Sequence, residues 1–439
     1  MRPPTSLSPF TADAASGLPG PSWVRALRAA AFERFDAGDL PTEAEEVWRY
    51  SRIDELDLDA YSPLVAGTDA GAVDHAGLGR DLPPALEAVA AAVGERAGLV
   101  VLHNGRVVRA ELEPSLSERG VVVGALVDSA DGEELVGSVA ADPDAFVDLN
   151  TAFMADVVVV RVPRGVAVER PVLVLHWVDA AGGAIFPRLV VRAGEASQVS
   201  VVDHVASIPD LAAFVAPVVE IDAAEAANVS YVGMQELGRK VWQVGYQASS
   251  VGRDATLSSV LVALGGEYAR VATDSRLQGL GSTSRLRALY FGDGAQMHDF
   301  RTLQDHDAPK TTSDLLFKGA VEDESRAVYS GLIRIRKGAA GTNAFQTNRN
   351  LVLGQGAHAD SVPNLEIEEN DVKCSHASAV GPIDEEQRYY LEARGLPPEA
   401  ADRLIVLGFF EEILEDIHIT GLRDPLRRAV AAKLEPGSV

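Results

Sequence analysis

A mainly β chain built around a stacked solenoid, with a mixed α/β region before it and helices after it, is the fold class this sequence predicts. Three observations carry that expectation. From about Val157 onward the chain consists of short Val-rich stretches separated by Gly, Ala, Asp and Asn, with almost no helical periodicity before Gly381. Small-residue corners recur at Gly194-Glu195-Ala196, Ala226-Ala227-Asn228, Arg253-Asp254-Ala255, Gly281-Ser282-Thr283, Gly338-Ala339-Ala340 and Gly356-Ala357, a repetition that suits stacked turns. After Gly381 the apolar residues recur every three or four positions, the period of a helix. A sandwich shares the short strands and turn signals, but the corners run from residue 194 to residue 357 without a break in composition, which favours the solenoid.

Taken in order, residues 1–20 are rich in Pro, Ser and Gly and read as a flexible tail. They lack the basic start and continuous apolar core of a signal peptide or a membrane span. Residues 21–150 read as an N-terminal helical and mixed region, in which Ser22 is placed to cap a helix reaching Phe35,. Within it, apolar runs at Leu99-Val100-Val101-Leu102 and Val107-Val108 flank His103-Asn104-Gly105-Arg106. This is a hairpin signal, because Asn-Gly supplies the positive φ angles of a type I′ turn. Residues 151–383 form the β core, and residues 384–439 are helical. There Asp384 with Gln387 three positions on reads as a capping box, Gly395 can end the first helix, and Pro397-Pro398 begins the second,. The apolar stripe Ile405, Val406, Phe409, Phe410, Ile413, Leu414 and Ile417 reads as core packing, with partner docking as the alternative.

Composition narrows the function. A chain of 439 residues that is 47% hydrophobic can bury a large core,. Its 64 acidic against 39 basic residues give a net charge of −25, which repels phosphate backbones and argues against nucleic acid as a partner. One cysteine allows no internal disulfide, consistent with a reducing compartment, so the expected location is the cytoplasm and no membrane partner is expected. Neither a P-loop nor a Gly-x-Ser-x-Gly elbow occurs, so no nucleotide site is expected in this chain and any ATP dependence must come from a partner.

The chemistry concentrates at Cys374 and His376. Flanked by extended sequence, the two lie two residues apart and so on one face of a strand,. A thiolate and an imidazole suit iron, zinc or an iron–sulfur cluster, but two ligands cannot close a four-coordinate site, and the rest must come from elsewhere. Buried packing of both is the plain alternative. His298, Asp299, Asp305, His306 and Asp307 form a second cluster that reads either as metal ligands or as solvated turn residues,. Glu366, Glu368, Glu369 and Asp371 precede Cys374 and either gather ferrous ion or discourage pairing at a strand edge.

These residues also carry a resemblance. The run from Asn364-Leu365-Glu366-Ile367 to Asp371-Val372-Lys373-Cys374-Ser375-His376, followed by Val380-Gly381 and Asp384-Glu385-Glu386, resembles the SufB/SufD family of iron–sulfur cluster assembly proteins. So do His306-Asp307-Ala308-Pro309, Lys318-Gly319, Gly331 and Gln346-Thr347-Asn348-Arg349-Asn350-Leu351 upstream, and Gly408-Phe409-Phe410 downstream. The match spans roughly Phe291 to Ile417, and Glu45-Glu46-Val47-Trp48-Arg49-Tyr50 is similar to an element of the SufD branch. The resemblance implies a right-handed parallel β-helix and a non-catalytic scaffold subunit paired with a SufB-like paralogue. It also implies a C-terminal helical region that docks a SufC-like ATPase. His376 and then Cys374 would face a transient iron–sulfur cluster shared with SufB, and a homodimer is the other pairing open to the chain. Two rival readings are a secreted-type β-solenoid acting on polysaccharides, and a purely structural partner in which Cys374 and His376 only pack.

Overall fold

The recurrent corners are where the chain passes from one sheet to another. In the computed structural model, which describes residues 8–64, 78, 81–126, 132–140 and 144–435, Ala196, Ala226, Asp254, Gly281, Lys310 and Gly341 all hold positive φ, between 53° and 77°. Each donates its backbone N–H to a carbonyl of the next turn, at Glu225, Arg253, Leu280, Pro309, Ala340 and Asp371 respectively, over 2.7 to 3.1 Å. The corners therefore stack into a ladder, and the chain between them forms a parallel β-solenoid of about eight turns.

Two sheets make its walls. One runs from the strand Val157–Val162 to His358–Ile367, the other from Val172–Val178 to Val372–Gly381. Side chains alternate inward and outward along each strand. In the early turns the inward rows are apolar, with Val199, Val201, Val219, Ile221 and Val229 in one core. In the later turns polar side chains join them, as where Thr302 bonds the Tyr329 hydroxyl at 3.0 Å and Gln304 donates to Ser313 at 2.7 Å.

Helices cover both outer faces. Ser22–Ala37 and Ala145–Phe153 pack with Phe186, Phe214, Trp242 and Tyr268 on the first sheet. Pro84–Val93, Pro398–Glu415 and Arg423–Lys433 pack on the second. The apolar stripe of the C-terminal region is thus core: Val406, Phe410, Ile413, Leu414 and Ile417 are fully buried. The hairpin forms as expected, with Asn104 at φ 49° and Gly105 at φ 82°, and its first strand, Gly98–His103, pairs in parallel with Val172–Val178. Sheet pairing therefore crosses from residues 21–150 into the solenoid.

The expected tail is corrected from residue 8 onward; residues 1–7 lie outside the described set. Ala12–Ser16 is a short helix, and Phe10, Ala15 and Leu18 are buried in the first helical layer. The buried Arg28 guanidinium fixes the segment by donating to the carbonyls of Leu18, Pro19, Met154 and Ala155. Ser22 is the first residue of its helix rather than its cap, and the helix continues to Ala37.

Candidate functional site

The solenoid ends at one rung. The strands His358–Ile367 and Val372–Gly381 are the terminal members of the two sheets, joined by the corner at 368–371. Each pairs on one side only, with Arg326–Ile335 and Thr342–Val352 respectively.

The previous rung shows which residues face inward. Along Thr342–Val352, Ala344, Gln346, Asn348 and Asn350 are buried, whereas Phe345 and Arg349 are exposed. Register places Cys374 over Ala344, His376 over Gln346 and Ser378 over Asn348. Cys374 and His376 therefore continue the inward row, as the sequence spacing predicts. On the opposite wall Leu365 and Ile367 stand over Ile333 and Ile335. With no turn above them they are 38% and 45% exposed, so the mouth of the solenoid is an apolar rim around a thiol and an imidazole.

The two differ in setting. Cys374 is half-buried against Ile333, Ile335, Ala339 and Ala344, and this burial pushes its thiol pKa up. Lys373 lies on the outward face in register with Asn343 and gives the thiol no help; a metal would have to displace its proton. His376 is exposed. Among the described residues no group of three or more His, Cys, Asp or Glu side chains gathers to hold a metal ion. The donor set fits a metal–sulfur species as cargo only if further ligands arrive from outside the chain.

The second cluster does not converge. His298 and His306 point inward and are fully buried, where loss of solvation lowers them to about 3 and about 4. His306 is held between the hydroxyls of Thr311 and Ser313, at 2.7 and 2.8 Å. Asp305 pairs with Arg336 at 2.7 Å. Asp299 faces outward, where burial alone would raise its carboxyl. Arg270 and Arg301, at 2.7 and 2.6 Å, with the Tyr268 hydroxyl at 2.8 Å, instead hold it below the usual range. This ion-pair network fastens the Glu45–Tyr50 element: Arg270 lies 3.7 Å from the Trp48 ring centroid and donates to the Val47 carbonyl, and Arg301 donates to that of Arg49.

The acidic run is partly used in structure. Glu366 pairs with Arg334 at 2.9 Å, and Glu369 accepts from the Gly338 N–H at 3.1 Å. In the sequence His103, His176 and His204 show no partner pattern. Each bonds a carboxylate, of Asp179, Asp203 and Glu236. His176 and Asp203 line an interior cavity of about 80 Å³, on turns remote from His376 along the stack. Gln346, directly beneath His376, stands out in the sequence only as part of a motif.

Fold and site together define a solenoid scaffold that presents a thiol and an imidazole at an open end rather than in a closed pocket. Residues 176–409 match the family model described as SUF system FeS cluster assembly, SufBD core domain, and residues 94–174 match the SufBD protein N-terminal region. The chain belongs to the SufBD family of iron–sulfur cluster assembly proteins. It is 36% identical over 300 residues to a SufBD family protein of Mycobacterium tuberculosis, covering 66% of this chain and 73% of that one. Against the iron–sulfur cluster assembly protein SufD of Escherichia coli it is 30% identical over 332 residues, covering 73% and 78%. Against SufD of Bacillus subtilis it is 25% identical over 429 residues, covering 94% and 95%.

Proposed function

We propose that this chain is the SufD-type, non-catalytic subunit of a SufB–SufC–SufD complex, in which it helps to build an iron–sulfur cluster that is passed to apoproteins. The observation that carries this reading is the placement of His376 and Cys374 on the inward row of the last, one-sided rung. A SufB-like partner adding its own edge strands there would cover the apolar rim and bring the missing ligands to the same point. His376, exposed and able to offer a ring nitrogen, is the primary ligand, and Cys374 joins once metal displaces its proton.

The ATPase subunit needs a different surface, because the C-terminal apolar stripe is already covered by the solenoid. The helix Glu385–Ala393 has no buried residue, and Tyr389 and Tyr390 on it are 73% and 58% exposed. With Leu404 on the next helix, 49% exposed, they form the docking face for SufC in this reading. No described helix is long and apolar enough to cross a membrane, in keeping with a cytoplasmic complex.

The test is the iron and acid-labile sulfide content, with the visible absorption spectrum, of the complex co-purified with its SufB and SufC partners. His376→Ala is expected to leave the three-subunit complex intact and remove most of its cluster. An unchanged cluster would reduce His376 to packing, and failure of the wild-type chain to co-purify would remove the complex itself.

A further inference from the structure

Within the motif Gln346–Leu351, the fold accounts for both asparagines but not for the glutamine. Asn348 donates to the Tyr290 hydroxyl and the Phe317 carbonyl, and Asn350 donates to Asn348 and accepts from Tyr290. Gln346 is 1% exposed, yet neither its Oε1 nor its Nε2 has a hydrogen-bond partner. A carboxamide carries two N–H donors and an acceptor, and leaving a buried polar group unpaired costs roughly 1–3 kcal/mol. The site is nevertheless made to hold this side chain. A Cβ added at Gly331, on the opposite wall, would lie 2.6 Å from Gln346 Nε2 and 2.3 Å from the Tyr329 hydroxyl, so Gly331 is the vacancy into which Gln346 reaches.

Below Gln346 in its row stands Leu315, which offers no polar atom, and above it stands His376. Adjacent rungs lie about 4.7–4.9 Å apart, within reach of a hydrogen bond between two inward-facing side chains. We propose that Gln346 is a positioning residue for His376: turning about its side-chain bonds from the unpaired position, its carboxamide oxygen accepts the N–H of the inner ring nitrogen, which leaves the lone pair of the outer nitrogen free for a metal. A second hydrogen bond of this kind selects the tautomer and orients a ligating imidazole. The metal-facing role of the outer nitrogen rests on the function proposed above, whereas the proposed hydrogen bond rests on the register of the two residues alone.

The experiment uses the full chain labelled with ¹⁵N-histidine, with His376→Ala identifying the His376 ring signals in a long-range ¹H–¹⁵N correlation spectrum. Wild type is expected to show one neutral tautomer at His376. Gln346→Leu is expected to return it to a mixture, and Gln346→Glu, which keeps an acceptor, to retain the single form. Because the amide lost in Gln346→Leu has no partner in the fold other than the exposed His376 ring, Tm is expected to change little. In the co-purified complex the same variant is expected to lose affinity for iron by tenfold or more under chelator challenge, the usual size of such support. Identical His376 spectra in wild type and Gln346→Leu would overturn the proposal, most plainly if Tm also fell, since the amide would then serve packing alone. If His376→Ala keeps its cluster, the metal-facing role fails by itself, and the tautomer result still decides the contact.

Discussion

His306 is a histidine kept neutral by its surroundings, and that makes it sensitive to acid. Folded, it titrates near 4, and His298 near 3; unfolded, both would titrate near 6.5. Below that pH the unfolded chain binds protons that the folded chain refuses, so stability is complete above pH 6.5 and is lost as pH falls toward 4 and then 3. The slope is about 1.4 kcal/mol per pH unit for each group. Urea midpoints measured between pH 7 and pH 5 are expected to fall, and His306→Gln to flatten the slope; an unchanged slope would show that His306 is not the neutral buried group described. At this scale the sequence was a good guide where chemistry follows from spacing. Residues two apart on a strand share a face, so Cys374 and His376 were legible together. His298, Asp299 and His306 were misleading because alternation sends neighbours to opposite faces, and Gln346 was hidden because the residue stacked on it, His376, is a full turn away in the chain.

The helix Pro398–Glu415 is held to the solenoid by a buried stripe and by two polar fastenings. Lys318 donates to the Phe409 carbonyl at 2.9 Å and pairs with Glu412 at 2.6 Å, and Arg287 joins Asp314 to Asp416. Phe410 is fully buried against Phe291, ring centroids 6.4 Å apart. Phe410→Ala is expected to cost about 3–5 kcal/mol. Lys318→Met, which keeps the stem but loses the donor, is expected to raise amide exchange in residues 398–415 while leaving exchange in the solenoid strands unchanged. Equal protection in both would mean that the ammonium does not anchor the helix. This element was readable in outline: Asp384 accepts from the Glu386 and Gln387 amides as a cap should, and Gly395 follows the helix end with φ 93°. The packing of residues 8–20 was not readable, because their Pro, Ser and Gly content carries no period and only the distant carbonyls of Met154 and Ala155 reveal what holds Arg28.

The molecule as a whole carries a charge of −25, and its open end adds Glu368 and Asp371 beside the apolar rim. Two copies brought mouth to mouth would place like charges together, an effect that salt screens over a Debye length of about 10 Å at 0.1 M. Self-association followed by sedimentation is therefore expected to be weak in low salt and to grow as salt is raised. Dimerisation strongest at low ionic strength would contradict this account and make the homodimer the natural pairing. The solenoid was legible because small-residue corners recur along it, but the backbone angle itself was announced only where the corner residue is glycine, as at Gly281; Ala196, Ala226 and Lys310 adopt it without a side chain that favours it,. The corner ladder has one more implication. Each step donates to the step above, from Ala196 to Gly341, so the stack has a direction, like a crystal that grows from a single facet. The last rung is that facet, and whatever settles on it must match its lattice spacing and inherit its alignment, so that an arriving strand is placed in register before any of its side chains is read.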